Sequence, residues 1–370
     1  MRVSSPRFRY RRRPLVFAKS PIQLFLSVTH IRERGLPEPI VVALTSPQNI
    51  FQYYDPIERL RLEPSDVIYL NRWPVGTRMR LQYLVAIFGA LMRSGRPIFV
   101  AVGGDINSDS RWHIMIASVL QVPTIFVENG LGTLRLMERL AVADQQPQGR
   151  QTRTENMLRR VAPESSVISL LPRSAFAKGQ RHRCIAASLG SLSVNQPVTP
   201  GAWFVGQPLN SVGYLSDTAY VQLVERTVGS LLPGMPAGAA FVYLAHPSER
   251  SNSLTQISHI EGCTVLHPSS AIEFWCTEAT SRPTHVVSPF SSALVSLGRI
   301  VGPGTQFYRW PDDTLLDAPK DLAGPLREAR RILDLLGVRT LELQRHDSDG
   351  PLAPFNDRPD DPPMDLMKTD

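Results

Sequence analysis

Three short clusters in this chain carry side chains suited to chemistry: Glu128-Asn129-Gly130, His246-Pro247 and Ser291-Ser292. Each follows a brief apolar run, TIFV at 124–127, FVYLA at 241–245 and THVV at 284–287, that reads as a buried strand. Open α/β sheets bind ligands at the carboxyl ends of such strands. A carboxylate after a strand can take a proton from a hydroxyl. Gly130 permits a tight turn and close approach of a ligand there. An imidazole can donate a hydrogen bond or a proton to a leaving phosphate. Pro247 restricts His246 to an extended conformation, which holds the ring at the strand end. Paired hydroxyls at a helix start, with the free N–H groups beside them, can hold an anion. Together these are an inventory for glycosyl transfer from a nucleotide-activated sugar.

Each cluster also has a plain structural reading. Glu128 could cap a turn, His246 could be an exposed turn histidine, and the serines could simply cap a helix. Glu273, in AIEFW just inside another predicted helix, could accept hydrogen bonds from ribose hydroxyls or serve only as a first-turn acid favoured by the helix dipole. Other residues imitate the pattern. His267-Pro268-Ser269-Ser270 repeats both dipeptides, and Gly103-Gly104-Asp105 also follows a strand, with a carboxylate that could face the same cleft. That glycine pair lacks the full dinucleotide fingerprint. His113 and His285 read as structural. A structural zinc site is not expected, because no CxxC and no closely paired His/Cys set is present.

The elements that must position these residues alternate strand and helix. Strands are expected at Leu15–Ala18, Ile40–Leu44, Val67–Leu70, Ile98–Val102, Thr124–Val127 and Val167–Leu171, apolar throughout as doubly covered strands should be. Ser20 and Pro21 start a helix that Gly35 ends, and further helices are expected at Thr77–Met92, Ser110–Leu120 and near Ala175–Leu189. The pattern restarts with strands at Ala202–Val205, Phe241–Leu244, Thr264–Leu266, Thr284–Val287 and Gln306–Tyr308. Helices of this half are expected at Ser216–Leu232, Ala271–Thr280, Ser291–Leu297 and Leu322–Leu336. The expected class is α/β: two Rossmann-like domains with parallel sheets facing a central cleft. The boundaries read as a basic tail at 1–13, a first domain at 14–190 with a polar loop at Asp144–Thr154, and a linker at 191–201. A second domain follows at 202–345, then a disordered, acidic, Pro-rich tail at 346–370.

The chain of 370 residues carries a formal charge of +7. Arg2, Arg7, Arg9, Arg11, Arg12 and Arg13 crowd its start without an acid among them. That tail reads either as solvated or as drawn to an anionic membrane surface; without a folded motif, nucleic acid is not an expected partner. Cys184, Cys263 and Cys276 have no metal or redox spacing and read as reduced thiols. The longest apolar stretch, Leu81 to Met92, is too short to span a bilayer, and no signal peptide is visible. A cytoplasmic location, peripheral on the inner membrane at most, is the expectation.

Taken together, the pieces resemble bacterial sialyltransferases, in particular the lipooligosaccharide sialyltransferases and the capsule polysialyltransferases. The matching segments are SPIQ (Ser20–Gln23), VENG (Val127–Gly130), VGQPL (Val205–Leu209), YLAHPSE (Tyr243–Glu249), IEFW (Ile272–Trp275) and SPFSSAL (Ser288–Leu294), over roughly residues 14–300. The resemblance implies a two-domain GT-B fold, a CMP–sialic acid donor, a glycan hydroxyl as acceptor, and metal-independent inversion without a cofactor. It implies Glu128 as general base, His246 on the leaving phosphate beside Pro247, Ser291 and Ser292 as phosphate donors, and Glu273 on the ribose. Motif order selects His246 over His267. One departure is Asn129, where the family has a second acid; an amide is no base, which leaves Asp105 as a reserve carboxylate. Two alternatives stay open: a GT-B transferase or epimerase for another nucleotide sugar, and an inactive homologue acting as a binding or assembly subunit.

Overall fold

The computed structural model describes residues 12–71, 77–103, 108–128, 166–171, 183–187, 189, 192, 195–311 and 323–343. Asp105, Asn129, Gly130, the loop at Asp144–Thr154 and both tails beyond these limits lie outside the described residues.

The first half builds a seven-stranded parallel sheet in the order β3-β2-β1-β4-β5-β6-β7. Its strands are β1 (Leu15–Ala18), β2 (Ile40–Thr45), β3 (Val67–Asn71), β4 (Val100–Gly103), β5 (Thr124–Val127), β6 (Ser166–Ser169) and β7 (Arg183–Ala186). β1 sits between β2 and β4 and is fully buried, as its unbroken LVFA run demands. Helix α1 (Pro21–Glu33) follows β1; Ser20 accepts the Gln23 N–H at its start and Pro21 occupies the first position, as the sequence predicts. Gly35 takes φ +62° just past its end. Among the described residues this half also holds α2 (Tyr54–Arg59), α3 (Thr77–Ser94) and α4 (Ser108–Val119).

The second half forms a six-stranded parallel sheet, β10-β9-β8-β11-β12-β13. It comprises β8 (Val198–Val205), β9 (Ala240–Leu244), β10 (Cys263–Leu266), β11 (Arg282–Ser288), β12 (Gln306–Arg309) and β13 (Arg339–Thr340). Its helices are α5 (Asp217–Leu231), α6 (Ser251–Ser258), α7 (Ile272–Glu278), α8 (Ala293–Ile300) and α9 (Ala323–Leu335). Ser216 caps α5 through the Ala219 N–H.

One apolar cluster runs from the first sheet through α1 to the α7 and α8 side of the second. A second cluster, including Phe204, Tyr220, Phe241, Tyr243 and Trp310, fills the opposite face of the second sheet. The halves touch where Phe25 of α1 meets Phe274 of α7 edge-on, centroids 5.5 Å apart. There Arg59 pairs with Glu278 at 2.7 Å and lies 6.0 Å over the Phe274 ring.

Three expectations are corrected. The region near Ala175–Leu189 holds strand β7 rather than a continuous helix, because Arg183–Ala186 pair in register with β6; four residues do not reveal their own period, and the open sheet edge decides it, while residues 175–182 lie outside the described residues. Val198–Gly201, expected as linker, are the first half of β8, paired with β11 and β9. β4 starts at Val100 rather than Ile98, whose amide bonds the Arg13 carbonyl instead. α2 and α6 have no counterpart among the expected helices. In SNSLTQIS of α6, Leu254 and Ile257 are the only large apolar residues, and of these two Ile257 is the buried one.

Candidate functional site

Both sheets reverse direction about their first strand, between β1 and β4 and between β8 and β11. Such switch points are where doubly wound sheets take ligands. At the second one, Gly206 and Gln207 leave β8 while Ser288 ends β11 and Ser291 and Ser292 follow it. The two exits are tied together: the Ser288 hydroxyl donates to the Val205 carbonyl at 2.8 Å, and Gln207 Oε1 accepts the Phe290 N–H at 3.1 Å. His246 leaves β9, which neighbours β8 on its other side. His267 follows β10, the sheet edge, so strand order separates the two HP dipeptides that the sequence presents alike.

His246 is exposed, as is Pro247. Its Nδ1 accepts the Ser248 N–H at 3.1 Å, which assigns the ring proton to Nε2. Protein packed around the ring removes part of its hydration and lowers its pKa. The ring is therefore a neutral N–H donor at pH 7.

Behind it lies a residue that the sequence reading did not single out. Glu249 Oε2 accepts the His246 backbone N–H at 2.7 Å, and the Glu249 N–H returns a bond to the His246 carbonyl at 3.0 Å. Glu249 Oε1 accepts from the hydroxyls of Tyr220, at 3.0 Å, and Tyr243. The two phenols are 2.8 Å apart, and Tyr220 also accepts the Gln207 N–H at 3.1 Å. A continuous network thus joins the exits of β8 and β9. The available signal was the three-residue spacing His246-Pro-Ser-Glu249, the reach of one turn.

Burial raises the Glu249 carboxyl to about 7, against the hydrogen bonds that favour its charge. Between the ordinary carboxyl pKa and that value the native state holds the extra proton, so this group's stabilisation is complete at pH 4 and fades as pH rises through 7. Glu249→Gln should flatten that slope; urea unfolding at pH 5 and pH 8 is the measurement, with a slope unchanged in the variant as the contrary result. Gly206 backs the same network. A Cβ there would stand 2.8 Å from Glu249 Oε2 and 2.9 Å from both the Leu244 carbonyl and the Tyr243 hydroxyl. Gly206→Ala should cost about 1–3 kcal/mol of stability and displace Glu249, read as a lowered melting midpoint together with a changed His246 imidazole NMR signal.

Ser291 and Ser292 are partly exposed before α8. The Ser291 hydroxyl accepts the Ala293 N–H at 3.1 Å, and the Ser292 side chain makes no capping bond. Glu273 in the first turn of α7 accepts the Ser296 hydroxyl of α8 at 2.8 Å. Burial raises its pKa, opposed by that bond.

Glu128 is 4% exposed. One carboxylate oxygen accepts the Ser169 hydroxyl, at the end of β6, and, at 2.6 Å, the Leu170 N–H just past it. Burial pushes its pKa up, while these bonds, the Leu171 N–H and the charge of Arg299 on α8 pull it down. Helix α8 thus relates electrically to Glu128 at one end, bonds Glu273 in its middle and follows the serines at the other. Among the described residues, no hydrogen bond joins His246 to Glu128, Glu273 or the two serines.

His113 is fully buried, stacked on Phe17 at 3.8 Å, and burial lowers its pKa to about 3. His285 stacks on Tyr308 at 5.6 Å. Both sit in structural surroundings. Among the described residues no His, Cys, Asp and Glu group is arranged to hold a metal ion.

No protein-family model and no curated protein sequence matches the chain. Solved structures of similar shape include Acinetobacter baumannii MurG, 11% identical with TM-score 0.48 over 89% of this chain and 85% of that one. A UDP-GlcNAc 2-epimerase from Neisseria meningitidis is 11% identical with TM-score 0.47, over 76% and 78%. A Photobacterium 2,6-sialyltransferase crystallised with CMP and lactose is 10% identical with TM-score 0.49, over 89% and 78%. The fold is GT-B-like. That statement rests on the two parallel sheets and their strand orders.

Proposed function

We propose that the chain is a glycosyltransferase that moves sialic acid from CMP–sialic acid to a glycan hydroxyl by a metal-independent, inverting single displacement. The observation that supports this most is at the second switch point: His246 and Ser291-Ser292 leave the strands on either side of β8, in the motif order of the sialyltransferases that the sequence resembles.

In this reading the nucleotide phosphate lies over Gly206, between the neutral His246 Nε2–H and the serine hydroxyls. These preorganised donors offset charge as CMP departs. Glu273, steadied by Ser296, receives the ribose hydroxyls. Glu128 takes the acceptor proton; burial raises its pKa, which strengthens it as a base.

A donor panel with EDTA present tests the proposal. Release of CMP from CMP–sialic acid, dependent on a glycan acceptor, is expected. Preference for a uridine nucleotide, or a new sugar product without acceptor, would replace it with the other transferase or the epimerase.

A further inference from the structure

The outer face of the first domain is apolar where a doubly wound domain ordinarily meets water. On α3, Leu81, Leu84, Val85, Phe88 and Met92 are 55–65% exposed, while Ile87, Ala90 and Ser94 are buried on the other side of the helix. On α4, Trp112, Met115 and Val119 are 41–78% exposed, opposite buried His113, Ile114 and Ala117. The two helices are neighbours, because Tyr83 of α3 hydrogen-bonds and packs against His113 of α4. Two helical stripes therefore merge into one patch, larger than scattered surface residues produce.

Its charge setting chooses the occupant. Helix α3 contains no acidic residue and carries Arg78 and Arg80 in its first turn and Arg93 in its last. Arg93 and Arg96 are exposed. The chain also enters the fold at this edge: the Arg13 N–H donates to the Ser94 carbonyl at the end of α3. Arg2, Arg7, Arg9, Arg11 and Arg12 precede it in sequence. An apolar stripe bordered by arginine suits a surface with hydrocarbon beneath anionic headgroups; of the acids nearby, Asp66 is paired with Arg13, and Asp109 stands in the first turn of α4. A second copy of the chain would bring the same arginines against one another.

We infer that the α3–α4 face docks on an anionic lipid bilayer, with Leu84, Phe88 and Trp112 entering the headgroup region. No helix of the described residues is long and apolar enough to cross a membrane, so the contact is made from one side. The test is co-sedimentation of the full chain with vesicles of phosphatidylcholine containing about 30 mol% phosphatidylglycerol, against phosphatidylcholine alone. Binding to the anionic vesicles is expected, weakened by salt and reduced at least about tenfold in Leu84→Glu/Phe88→Glu. Both positions are exposed, so the thermal midpoint should hold. Absence of binding by the parent chain, or equal binding by the variant, overturns the inference. So does a parent dimer that the variant splits in light scattering while neither protein binds vesicles, which assigns the face to a second copy.

Discussion

His246→Ala should lower the rate of acceptor-dependent CMP release by about 100-fold or more, the range found when a positioned donor to a developing charge is removed. The exposed ring contributes nothing to the core, so the variant should unfold at the same urea concentration as the parent. The proton on Nε2 makes a finer division. If the ring acts as a neutral donor, His246→Gln keeps an N–H near the phosphate and should recover a measurable part of the lost rate. If the ring hands over a proton, Gln should be as slow as Ala. Equal turnover in parent and Ala variant would remove His246 from the mechanism.

Glu128 should show the reverse balance. Glu128→Ala leaves the Ser169 hydroxyl and the Leu170 N–H buried without an acceptor. Each orphaned group costs about 1–3 kcal/mol, so a loss of roughly 2–6 kcal/mol is expected, visible as a lower urea midpoint. Glu128→Gln keeps one oxygen acceptor and should retain most of that stability. A base cannot be replaced by an amide, so the Gln variant should still lose about 100-fold or more in turnover. A Gln variant that is stable and fully active would confine Glu128 to joining β5 and β6. The base would then have to be sought elsewhere, with Asp105 the first substitution to make.

Much of this architecture could be read before the structure. Leu15–Ala18 and Thr124–Val127 are strands because uninterrupted β-branched and aromatic runs fit a sheet covered on both faces. Ser20-Pro21 and Ser216 start helices because their chemistry acts within one turn. What depended on distant partners was not legible. Arg183–Ala186 become a strand only because β6 offers an edge. Glu249 looks like any surface acid until Tyr220, from a separate helix, and Gly206, from a separate strand, close around it. The same limit applies to Glu128: the motif suggests a carboxylate, but its bonds to Ser169 and Leu170 span more than forty positions and come from pairing of β5 with β6. The α3 stripe is visible as an apolar segment, Leu81 to Met92; only the burial of Ile87 and Ala90 shows that the larger side chains point away.

The short helix α7 serves two masters. Phe274 and Glu278 fasten it to Phe25 and Arg59 of the first half, while Glu273 holds Ser296 in the second. A swing of one lobe against the other must therefore either tear the aromatic and ionic latch or lever the helix off α8. In the second case Glu273 moves with it, so on the proposed function, in which that carboxylate holds the ribose, loosening of the spent nucleotide and parting of the lobes would be strokes of one lever.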